Sequence, residues 1–156
     1  MNRLFTYPST QRIANQLETL DHVMVFTTPL PGPASGLPVL TDPQDTNASL
    51  DNRARAYLHT NCSQCHRAGG PTPSTMDLRY TTSLSNTNAC DVVPLDGNLG
   101  IANARLIAPG DAARSVLIER TTRRDSHGMP PLGSSLIDTA GVTLLTNWIN
   151  GLANCN

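Results

Sequence analysis

The sequence predicts an all-α fold, and three observations carry the prediction. Apolar residues recur at helical spacing in two stretches: Leu50, Ala54, Leu58 and Cys62, then Val142, Leu145, Ile149 and Leu152. No stretch alternates polar and apolar residues convincingly over a strand's length. The first stripe also runs directly into Cys62-Ser63-Gln64-Cys65-His66, a spacing that sets two thiols one helical turn apart.

Taken in order, residues 1–46 read as an N-terminal extension. Ile13, Leu17 and Leu20 share a face and predict a short helix over 11–20. From Thr28 to Asp45 the prolines Pro29, Pro31, Pro33, Pro38 and Pro43 exclude a helix and predict an extended, semi-stiff linker. A domain of residues 47–156 follows. Asn47 or Ser49 caps its first helix, with Leu50, Ala54, Leu58 and Cys62 inward, Tyr57 beside them, and Asp51, Arg53 and Arg55 outward. Gly69, Gly70, Pro71 and Pro73 end that helix after the cysteine motif, and residues 70–104 are loop-rich. A second helix is predicted from Asp111, carrying Val116, Leu117 and Ile118. The last starts at Asp138 and runs to about Leu152, with Leu144 and Trp148 widening its apolar face.

Cys62-Ser63-Gln64-Cys65-His66 is the CxxCH pentapeptide of covalent c-type haem attachment. Cys62 and Cys65 reach the two vinyl groups on one porphyrin edge and become thioethers, and His66 then holds the iron from below. Zinc would need two more nearby ligands, and the other cysteines, Cys90 and Cys155, form no second CxxC. A thioredoxin-like redox pair would follow a strand in a βαβ pattern, which the sequence lacks.

For the sixth iron ligand the sequence offers Met129, in His127-Gly128-Met129-Pro130-Pro131. A thioether is soft and neutral, favours ferrous iron and raises the potential. Two prolines make the stiff, non-helical loop that would present it. His127 is the rival, because bis-histidine ligation would lower the potential. Met24 lies in the extension, Met76 follows His66 closely, and His22 and His59 read as surface or packing histidines. Two haem propionates call for donors, and Arg79 and Arg105 are the expected ones.

Composition narrows the function classes. A hydrophobic fraction of 38% is low for a self-sufficient core, which a buried porphyrin would supplement. No apolar run approaches the roughly 18 residues of a membrane span. All 11 basic residues are arginine and the net charge is −1, so nucleic acid is not an expected partner. Arg114, Arg120, Arg123 and Arg124 meet only Glu119 within their own stretch. They read either as a solvated helix face or as a surface that steers an acidic redox partner. Cys90 and Cys155 are either a disulfide, the expectation for an exported chain, or two buried thiols.

The helix into CxxCH, the Met loop and the C-terminal helix resemble class I cytochromes c over residues 47–153. That resemblance implies helices around one haem, crossed N- and C-terminal helices, and long loops. Residues 57–70, Met76-Asp77-Leu78-Arg79-Tyr80, Ala108-Pro109-Gly110-Asp111, 129–134 and 147–152 look closer still to a little-characterised bacterial family. Its members are exported haem proteins with a C-terminal cytochrome domain. Tyr7-Pro8 and residues 15–20 look like that family's connecting region, which follows an upstream part with its own CxxCH.

The expected function is therefore electron transfer by a monohaem cytochrome c with His66 and Met129 as axial ligands, rather than enzymatic catalysis. The alternatives are a haem enzyme such as a peroxidase, and a structural or sensory haem module. The expected partners are a redox protein donor or acceptor and an upstream domain of the same precursor. The expected location is periplasmic or extracellular, because haem is joined to CxxCH outside the bacterial cytoplasm. No secretory signal is visible from Met1 onwards, so a mature protein or an excised domain is expected.

Overall fold

In the computed structural model, which describes residues 2–156, the chain opens on a hairpin instead of a helix. Strands β1 (Leu4–Thr6) and β2 (Ile13–Asn15) pair antiparallel, with Leu4 opposite Asn15 and Thr6 opposite Ile13. Asn15 then leaves the sheet as the cap of α1 (Gln16–His22), its side-chain oxygen accepting the Leu17 N–H at 2.9 Å. Ile13 is thus taken by a strand, and the helix expected over 11–20 starts later.

The proline-rich stretch is less of a linker than its composition suggests. A 3-10 turn at Ala34–Gly36 buries Ala34 completely. The Asn2 amide donates to the Ala34 and Leu37 carbonyls at 2.7 and 3.0 Å. The Glu18 carboxylate accepts the Ala34 N–H at 3.3 Å, and Arg3 donates to the Leu40 carbonyl at 2.7 Å. These bonds fold residues up to Leu40 onto the hairpin and α1. The chain accordingly divides into one unit of Met1–Leu40 and another of Thr41–Asn156.

The second unit is built on two helices of equal length. Ser49 caps α2 (Leu50–Cys62) by accepting the Asn52 N–H at 3.2 Å. After the short α3 (Val116–Thr121), Asp138 caps α4 (Thr139–Gly151) by accepting the Gly141 N–H at 3.0 Å. Ala54 and Leu58 of α2 meet Leu144, Leu145, Trp148 and Ile149 of α4 in a core completed by Leu78, Leu84, Ala89 and Ile107. The helices approach so closely at Gly141 that a Cβ there would stand 2.2 Å from the Tyr57 ring. Tyr57 also donates to Asp138 at 2.9 Å, and Trp148 donates to Asp51 at 3.0 Å. Asp51 therefore turns to α4 and not outward. Arg53 donates to the Pro43 carbonyl and Arg55 to that of Tyr80.

The helix expected from Asp111 is split. Ala112–Arg114 forms a 3-10 turn, and Ser115 is extended before α3 begins. The cause is a strand-like bridge: Arg105 N–H donates to the Arg114 carbonyl, and Val116 N–H donates to the Arg105 carbonyl. A second bridge joins Cys90 to Ile107, and a disulfide joins Cys90 to Cys155 just beyond α4, with Cα atoms 5.7 Å apart. The loop-rich segment is so tied to the end of the last helix.

The expected all-α, class I cytochrome c architecture is corrected by these elements. The described residues form a mixed structure of four α-helices, short 3-10 turns and a two-stranded antiparallel sheet. Two of the helices are only 7 and 6 residues long. Among the described residues no helix is long and apolar enough to cross a membrane.

Two substitutions test this frame. Gly141→Ala forces a methyl into the Tyr57 ring, and overpacking of this kind costs about 1–3 kcal/mol. Alanine also gains about 1 kcal/mol of helix propensity over glycine, so the change in urea midpoint is compared in the wild-type and Tyr57→Leu backgrounds. A fall no larger with Tyr57 present than without it would mean that the ring and position 141 do not meet. Cys155→Ser is expected to lower stability by roughly 4 kcal/mol, the loop-closure value for a cross-link of this span. Alkylation of Cys90 in the unreduced wild-type chain would contradict the bridge.

Candidate functional site

The cysteine motif forms the last turn of α2 and its exit. Cys65 and His66 both donate their N–H groups to the Cys62 carbonyl, at 3.1 and 2.9 Å. One carbonyl so gathers both cysteines and the histidine into a single turn. Ser63, buried behind it, donates to the His59 carbonyl at 2.7 Å. The turn is held from outside by residues 76–80: Leu78 N–H donates to the His66 carbonyl at 2.9 Å, and Tyr80 N–H to His59 Nδ1 at 3.2 Å. At Gly70 the chain passes so near that a Cβ would stand 2.1 Å from the Cys65 carbonyl oxygen. Only glycine fits.

Cys62 and Cys65 are free and half-buried. Burial pushes the Cys62 thiol up to about 12, and the neighbouring Cys65 adds to the rise. A redox CxxC works with a depressed thiol, so the environment opposes that use. The His66 imidazole is held below its ordinary value, first by burial and then by the positive charge of Arg120. It is the neutral form that ligates a metal. Its Nδ1 is buried without a hydrogen-bond partner, so the protein frame leaves this ring nitrogen unclaimed. Two unpaired thiols one turn apart and an uncommitted neutral imidazole next to them fit haem c. Among the described residues no group of three or more His, Cys, Asp or Glu is placed to hold a metal ion by itself. That bears on a zinc-type site, which needs three or four protein donors.

Met129 lies in the loop after α3, with its N–H donated to the Arg120 carbonyl at 2.8 Å. Arg120 thus anchors Met129 through its carbonyl and, through its charge, adds to the effect of burial on His66. Gly128 is buried against the Arg123 carbonyl, where a Cβ would be 2.6 Å away. Met129 is half-buried, whereas the rival His127 is exposed. Met76 packs against the core, and Met24 is 87% exposed in the other unit.

Both arginines expected at the propionates pair with carboxylates of the chain. Arg79 donates to Asp77 at 2.9 Å and holds that carboxyl well below the usual carboxylate range. Arg105 donates to Asp91 at 3.0 Å. The four arginines weighed as a steering surface or a solvated helix face are paired as well. Arg114 pairs with Asp111 at 2.8 Å, Arg120 with Asp96 at 3.1 Å, and Arg123 with Glu119 and Asp125 at 3.0 Å each. Arg124 is occupied by backbone carbonyls. Besides Glu119 within the stretch, the pairing acids Asp96, Asp111 and Asp125 lie outside it.

Sequence reasoning also missed Tyr57 and Asp138 as a joint between the two helices beside this site. A groove of about 450 Å³ adjoins them, lined by Leu50, Arg53, Tyr57, Asp138, Gly141 and Leu144 among others. Neither cysteine of the motif, nor His66 or Met129, lines it. Comparison of the chain with models of known protein families, with curated proteins and with solved structures finds no match.

The Tyr57 phenol is raised far above its ordinary value, first by burial and then by its hydrogen bond to Asp138. Below about pH 10, the ordinary tyrosine value, the phenol is protonated in the folded and unfolded chain alike. Above it only the unfolded chain releases the proton, so the folded state loses stability as pH rises. Urea midpoints followed from pH 8 to about 11 are expected to fall more steeply in wild type than in Tyr57→Phe. Parallel falls would contradict the assignment.

Proposed function

We propose that the chain carries one covalently bound haem c and transfers electrons, with His66 and Met129 as its axial ligands. The observation that carries the reading is the single turn in which the Cys62 carbonyl gathers Cys65 and His66, with both thiols free and the Nδ1 of His66 unpartnered. In this reading Cys62 and Cys65 hold the porphyrin edge as thioethers. His66 would present its imidazole to the iron from a turn held by the bonds of His59, Leu78 and Tyr80. Haem c supplies a one-electron iron couple whose potential depends on its axial ligands. With protein donors on both faces, no coordination position is left for oxygen, peroxide or substrate. Outer-sphere electron exchange with a redox protein is the chemistry that remains.

Export is part of the same proposal. The Cys90–Cys155 disulfide supports it, because such bridges persist in oxidising compartments. A periplasmic or extracellular location and a redox-protein partner, such as an upstream domain of one precursor in the manner of the family it resembles, follow from the haem reading.

The test is spectroscopic. The oxidised protein is expected to show the weak sulfur-to-iron band near about 695 nm of His/Met haem c. Met129→Ala is expected to abolish it and to lower the potential. A band that survives the substitution would assign the ligand elsewhere. A wild-type protein without the band, but with free affinity for peroxide, would point to the enzymatic alternative.

A further inference from the structure

Residues 130–137, directly after Met129, have almost nothing to hold them. Leu132 and Leu136 are 85% and 82% exposed, so packing does not fix the segment. Among the described residues a single backbone group of 130–137 takes part in any hydrogen bond: the Leu136 carbonyl. Both of its bonds come from Arg124, through Nε at 3.0 Å and Nη2 at 2.8 Å. The remaining nitrogen of the same guanidinium, Nη1, donates to the Met129 carbonyl at 3.4 Å and to the Thr121 carbonyl at 3.1 Å. It also donates to the Arg123 carbonyl.

One planar fork thus grips the α3 exit, the Met129 peptide and the far end of the loop. The Met129 N–H is fixed independently to the Arg120 carbonyl, and the Gly128 contact with Arg123 leaves no slack before it. The segment ahead of Met129 is therefore anchored by its own backbone together with the Arg120 and Asp125 side chains, whereas the segment behind it is anchored by one side chain.

We propose that Arg124 is a positioning residue that closes the Met129 loop and so keeps the methionine on the iron. The inference rests on the His66/Met129 reading above. Arginine suits the task because its donors lie in a rigid plane and reach several carbonyls at once, whereas lysine offers a compact point charge. With the fork removed, the loop opens without unfolding the α2–α4 frame, because local opening is governed by the bonds of the segment itself.

The experiment uses the haem-loaded full chain and follows displacement of the sixth ligand by imidazole, read from the band near about 695 nm. Wild type must first show that band; its absence refutes the ligation and with it the premise. Given the band, Arg124→Gln is expected to bind imidazole about tenfold more tightly or better, having lost several charge-assisted bonds. Arg123→Gln removes a neighbouring charge whose bonds go to Glu119 and Asp125 and not to residues 129–137, and is expected to stay within about twofold of wild type. Arg124→Lys keeps the charge and serves if the glutamine variant fails to fold. It is expected to bind imidazole more tightly than wild type as well. Wild-type affinity in Arg124→Gln, or in Arg124→Lys when that variant alone folds, would overturn the proposal. Equal tightening in Arg123→Gln would do the same, since it would assign the effect to charge.

Discussion

The contact between the Tyr57 ring and the bare backbone of Gly141 is the constraint from which the rest of the larger unit follows. A Cβ at position 141 would stand 2.2 Å from the far end of the Tyr57 ring, so any side chain there would push that ring from its place. The Tyr57–Asp138 bond then ties the middle of α2 to the start of α4. These helices bracket the candidate site in sequence: α2 ends in the Cys62–His66 turn, and α4 begins where the Met129 loop finishes. Fixing one helix against the other therefore fixes where both halves of the site emerge. The disulfide at Cys155 adds a third fixed point by holding the far end of α4 to Cys90.

Electrostatics inside this frame is directed inward. The guanidiniums of Arg114, Arg120 and Arg123 are neutralised by carboxylates, and that of Arg124 grips carbonyls. Arg120 ties Asp96 to the Met129 loop, and its charge adds to burial in holding the His66 imidazole below its ordinary value. Exposed ion pairs of this type add little stability, on the order of 0–1 kcal/mol each. Their consequence is geometric: they pin irregular backbone that no helix or sheet supports. A chain with so few long elements needs such ties.

How much was legible in the sequence depended on the range of the signal. The helices α2 and α4 could be read, with Ser49 among the candidate caps of α2 and Asp138 as that of α4, because capping and 3.6-residue periodicity are local. The hairpin was not, since strands of three residues are too short to establish a period of two. The break at Ser115 was hidden because its cause, the bridge to Arg105, lies ten residues upstream. The proline-rich stretch misled in the opposite sense: prolines forbid helix but do not forbid packing, and the buried Ala34 accepts from Asn2 and donates to Glu18. At the site, the cysteines and histidine were visible as a motif. The role of Arg124 was not, because a guanidinium that serves carbonyls leaves no charge partner to find in the sequence.

The measurement that bears most directly on the central claim is the intact mass of the denatured protein, produced in an exporting host that assembles c-type haem. Covalent attachment through Cys62 and Cys65 predicts the 16.7 kDa chain plus one haem, with neither of these cysteines open to alkylation. Loss of the added mass in a Cys62→Ser, Cys65→Ser double variant is expected with it. A chain of bare sequence mass, with both thiols free to alkylate, would contradict the account.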